Sequence, residues 1–163
     1  MASGHGLLVV AVTTALALNA ADADAQTATQ TVQFQVTAVN QIAVSGNPSP
    51  LAITTATAGS GLTSATSTGT SYAITTNEAN QKITASIDQT MPAGVTLEVQ
   101  LAAPSGALSA GSVSLGTASA DLVTGISATA ASALPITYRL NAGTQVQMGP
   151  TARTVTFTIV SGT

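Results

Sequence analysis

The sequence predicts an all-β protein, an antiparallel β-sandwich of about seven to nine strands. Three observations carry that expectation. Several segments alternate apolar and polar residues with a period of two, the mark of a strand with one buried face. Thr is frequent in those segments, and its β-branched side chain fits a pleated surface better than a helix. Clusters of Gly, Pro, Asn and Ser separate them as turn punctuation.

In chain order, the first segment stands apart. Residues 7–18, LLVVAVTTALAL, are uncharged and too short to span a bilayer, but they suit the apolar region of a secretory signal. The following AADADA places Ala23 and Ala25 where a signal peptidase reads small residues, so residues 1–25 are expected to be a signal peptide. Cleavage after Ala25 would make Gln26 the mature N-terminus, with cleavage after Ala23 as the near alternative. One domain, 26–163, would remain, long enough to stand on its own core without disulfides.

The first expected strand is TVQFQVTA, 31–38, with Val32, Phe34, Val36 and Ala38 on one face. Short candidates follow at QIAVS, 41–45, and at LAIT around Ile53. SYAITT, with Tyr72 and Ile74, and KITASID, with Ile83, Ala85 and Ile87, flank NEANQ, 77–81, a polar turn of hairpin length. GVTLEVQLA buries Val95, Leu97, Val99 and Leu101; ITYRL buries Ile136, Tyr138 and Leu140; TVTFTIV buries Val155, Phe157 and Ile159. A short strand is expected around Val113, and one or two helical turns near SADLVTG, 119–125. Residues 54–70 and 102–111, rich in Thr, Ala, Ser and Gly, read as long surface loops.

Chemistry is scarce. Charged residues make up 6% of the chain and its net charge is −3, which argues against nucleic acid or an anionic membrane surface as partner. Without the leader, Glu78, Asp88, Glu98 and Asp121 face Lys82, Arg139 and Arg153, a net charge of −1. No Cys occurs and His5 leaves with the leader, which removes Ser-His and Cys-His nucleophile pairs and imidazole or thiolate metal sites. Ser86, the nearest serine for a Ser-Lys dyad with Lys82, lies four residues along the same strand face, roughly 13 Å away and too far for proton transfer. Asp88 and Glu98 read as solvated positions on neighbouring strands, pairing across them with Lys82 and Arg139 rather than acting as a glycosidase pair. Tyr72 and Tyr138, the chain's tyrosines, both lie on apolar faces, and no Trp offers a sugar platform. Asp121 lacks the acidic spacing of a calcium loop. The expectation is a non-enzymatic chain with no cofactor, no metal site and no membrane span after the leader.

Residues 136–160, ITYRLNAGTQVQMGPTARTVTFTIV, resemble the end of secreted fimbrial-type and spore-coat-U-like domains. There a Tyr-containing strand is followed by a Val-x-x-Gly turn and a closing Thr-Val-x-Val-x-Val strand; Val146, Gly149 and 154–159 occupy the matching positions. The stretch TVQFQVTAVNQIAVSG is similar to the first strand of such domains. Those families commonly carry a disulfide joining early strands, and this chain has no cysteine. The resemblance implies an immunoglobulin-like sandwich in an extracellular appendage, coat or matrix.

Two functions follow as expectations. The first is a secreted structural subunit forming a homo-polymer. Its terminal segment, with Val32, Phe34 and Val36 as interface residues, either pairs in its own sheet or completes the sheet of a neighbour. The second is a monomeric adhesion or ligand-binding module that uses the Thr/Ser/Gly-rich loops, its ligand left open.

Overall fold

A computed structural model describes residues 26–163; the expected signal peptide lies outside the described residues. Val36–Thr163 form a compact unit, and residues 26–35 fall outside it.

Among the described residues there is no helix, and nine strands form two antiparallel sheets. They are β1 (Asn40–Val44), β2 (Ala65–Thr76), β3 (Gln81–Ile87), β4 (Val95–Leu101), β5 (Leu108–Ser109), β6 (Val113–Ser114), β7 (Ala120–Ile126), β8 (Thr129–Ala142) and β9 (Val155–Ser161). One sheet has the order β1-β2-β8-β4-β6 and the other β5-β7-β3-β9. Their facing side chains meet in one core. Tyr72, Ile74, Val99, Leu101 and Ile136 come from the first sheet, and Ile83, Ile87, Leu122, Val123 and Ile126 from the second. The period-two segments on β2, β3, β4, β8 and β9 therefore face inward as their patterning requires.

Six local expectations are corrected. Residues 31–38 form no strand, and the first strand starts at Asn40. Alternation makes a segment fit for a sheet, but only a neighbouring edge turns it into a strand. Residues 119–125 are not helical: 120–126 are β7, where pairing with β3 overrides the helix propensity of Ala and Leu. Residues 77–81 do not close a hairpin, since β2 and β3 belong to different sheets and this turn carries the chain between layers. The expected loop at 54–70 yields its second half to β2, which begins at Ala65. Ser67 and Thr70 there are buried, and a register shift against β8 falls between them, at Gly69. Residues 51–54 form no strand, while Leu108–Ser109 of the second expected loop are β5.

Tyr72 shows how the core uses an amphipathic side chain. Its ring is buried and its hydroxyl donates to the Ala102 carbonyl at 2.6 Å. Burial pushes the Tyr72 phenol from 10.0 up to about 12 and raises Tyr138 in the same direction. The unfolded chain therefore loses these protons first. The stability contributed by the neutral phenols is complete below pH 10 and is lost progressively as pH rises from there toward about 12. Urea unfolding at about pH 9 and about pH 11 should show a clear fall in midpoint, and the fall should shrink in Tyr72→Phe. A midpoint independent of pH over that interval would refute the assignment. At neutral pH, Tyr72→Phe should cost about 1 kcal/mol, since it leaves the Ala102 carbonyl short of a donor.

Candidate assembly site

The charged side chains come first, because they would carry any catalysis. Lys82 on β3 and Asp121 on β7 form a salt bridge at 3.1 Å, an exposed cross-strand pair worth well under about 1 kcal/mol. Glu98 on β4 stands opposite Arg139 on β8, yet each turns elsewhere. Ser112 Oγ donates to the Glu98 carboxylate at 3.1 Å, and Arg139 Nε donates to Ser64 Oγ at 3.1 Å. Asp88, just beyond β3, accepts from the Thr154 amide at 2.9 Å, while Glu98 lies on the opposite sheet. The expectation that Asp88 and Glu98 occupy neighbouring strands is thus corrected: the layers separate them. Glu78 accepts from Asn40 Nδ2 at 2.6 Å. Each of the four carboxylates has its own local partner, and no two converge on a shared space. Among the described residues no group of three His, Cys, Asp or Glu side chains could hold a metal ion.

The unusual geometry lies at one edge of the two sheets. β1 ends the first sheet and pairs only with β2; β9 ends the second and pairs only with β3. These edge strands, with β2, line an open cleft of about 550 Å³, with Ile42 from β1, Ile74 from β2 and Phe157 and Ile159 from β9 as its large apolar members. The inward-facing Val155, Phe157 and Ile159 of β9 are only half-buried, whereas Ile83, Ala85 and Ile87 of its neighbour β3 are fully covered. Val44 and Val160, at the same two strands, are exposed at 49% and 37%. The β9 side of the core is therefore less fully covered than the β3 side.

The sequence-predicted interface residues are exposed to a degree rare for large apolar side chains. Val32 is 71%, Phe34 90% and Val36 85% accessible, within a run, 26–39, that has no strand structure. Sequence reasoning singled out this segment as a candidate interface. It did not identify the β1–β9 cleft, because nothing in the alternation of TVTFTIV distinguishes an edge strand from an inner one. The Thr/Ser/Gly-rich loop of the binding-module reading is shortened to the stretch before β2 and closed by a bridge between Ala56 and Leu62, with Thr55 and Thr63 bonded across it.

Comparison with family models, with curated proteins and with solved structures returns no match for this chain.

Proposed function

We propose that this protein is a non-catalytic extracellular structural subunit that assembles into fibres by strand exchange. The segment bearing Val32, Phe34 and Val36 enters the β1–β9 cleft of another copy. The observation that carries the reading is a double deficit in one chain: an apolar, alternating segment without a sheet, and a sheet edge whose inward residues are only half-buried. Each is the complement of the other. A strand added at β9 would satisfy the unpaired backbone groups of that edge and place side chains of period two over the exposed core.

The strand order supports an immunoglobulin-like interpretation. In such sandwiches one sheet runs A-B-E-D and the other C-F-G. Here β1-β2-β8-β4 follows the first order and β3-β9 supplies C and F. Among the described residues β9 has a neighbour only on its β3 side, while β5 and β7 on the far side of β3 have no counterpart in that order. The low charge of the chain fits the same reading, since the lysines that usually guard sheet edges are scarce.

Size-exclusion chromatography and negative-stain microscopy of the chain beginning at Gln26 test the proposal. Regular fibres that grow with concentration are the expected result. A persistent monomer would overturn it in favour of the binding module.

A further inference from the structure

We infer that Asn77 commits the 26–36 segment to another copy of the chain and keeps it from closing onto its own domain; the inference rests on the assembly reading above. Residues 37–39 join that segment to β1, and Asn77 holds them at three points. Its backbone amide donates to the Val39 carbonyl at 3.2 Å, one step beyond the last ladder pair, Asn40 with Thr76. Its side-chain Oδ1 accepts from the Val39 amide at 2.8 Å, and its Nδ2 donates to the Thr37 carbonyl at 2.8 Å. The backbone groups of residues two apart point to one side only where the chain is extended. Thr37 and Val39 therefore continue the line of β1.

The reason for a side chain at this place lies in the topology. After Asn77 the chain leaves for the other sheet, so beyond the Asn77 amide no backbone follows β2 to pair with residues 37–39. A primary amide, with one acceptor and one donor group, substitutes for the missing peptide unit. The exit is braced from below. Thr76 Oγ1 donates to Asn40 Oδ1 at 2.6 Å, Asn40 Nδ2 donates to Glu78, and the Glu78 amide donates to Thr76 Oγ1 at 3.1 Å.

For the segment to enter the cleft beside its own β1, the chain would have to reverse between Val36 and Asn40. A hairpin does that with two to five residues, and the residues available are the ones Asn77 holds straight. Such a device is needed. A short tether gives an effective concentration of about a millimolar, so an unrestrained segment would outcompete copies present at micromolar concentration by roughly a thousandfold. Three hydrogen bonds together oppose closure by about tenfold to a thousandfold, the same order.

Asn77→Ala removes both side-chain bonds; Asn77→Asp keeps the acceptor for Val39 and loses the donor to Thr37. Each is compared with the unmodified chain from Gln26 by sedimentation across a concentration series and by hydrogen exchange on the monomer fraction. Asn77→Ala should raise the concentration needed for fibres by about tenfold or more, with Asn77→Asp between it and the unmodified chain. The amides of 32–36 should become protected in the Asn77→Ala monomer and lose that protection when Phe34→Asp is added. Fibres at the unmodified concentration would overturn the role of Asn77 and leave the assembly reading intact. Loss of fibres without protection at 32–36 would also overturn it, since a merely damaged fold does not shield that segment. An unmodified chain that never polymerises would defeat the assembly reading itself, and this inference with it.

Discussion

Phe34→Asp is expected to abolish fibres while leaving a soluble, folded chain. Phe34 is 90% accessible and outside the compact unit, so the substitution removes nothing that the domain uses for its own stability. In the fibre the ring would be covered by Ile42, Ile74, Phe157 and Ile159 of the receiving copy. Truncating a buried aromatic typically costs about 3–5 kcal/mol, and a carboxylate in its place adds the cost of an unpaired charge. A loss of that size raises the concentration needed for polymerisation at least a hundredfold. A peptide covering 31–39 should then bind the open cleft of the variant. At a hundredfold excess over its dissociation constant it contributes about 2.7 kcal/mol, enough to raise the melting temperature by several degrees. Fibres of normal yield from Phe34→Asp would show that this segment is not the inserted strand. An unchanged melting temperature with the peptide would show that the cleft is not its receptor.

The second large effect separates the finished part of the core from the open part. Leu122→Ala should destabilise the monomer by about 2–5 kcal/mol, because Leu122 is 0% accessible and its removal leaves a cavity between the sheets. That is a large share of the stability of an ordinary domain, and the urea midpoint should drop accordingly. Phe157→Ala removes a larger side chain yet should cost the monomer only about 1–2 kcal/mol, because Phe157 at the β9 edge is half-buried and its exposed part never left water. In polymerisation the order should reverse, with Phe157→Ala weakening assembly strongly as the partner's strand loses its floor. If Phe157→Ala destabilises the monomer as much as Leu122→Ala and leaves fibre formation unaffected, β9 is an ordinary core strand.

The all-β class and the inner faces of the main strands were legible in the sequence. These are local properties. Val95, Leu97, Val99 and Leu101 must share a face in any extended chain, and residues 26–163, without Cys or His, have no imidazole or thiol to offer. The alternation of Val32, Phe34 and Val36 was legible in the same way, as a segment suited to a sheet. Which strands pair was decided only by the tertiary structure, because pairing depends on partners far apart in sequence. Residues 120–126 became β7 through their ladder to β3, and 65–70 became strand through β8. The turn at 77–81 was read as a hairpin because its composition says nothing about which layer the next strand joins. The open cleft likewise depends on strand order: β1 and β9 both end their sheets on the same side, and Phe157 and Ile159 are left half-buried between them. An edge is set by which strands end a sheet, and no residue of β9 encodes that position.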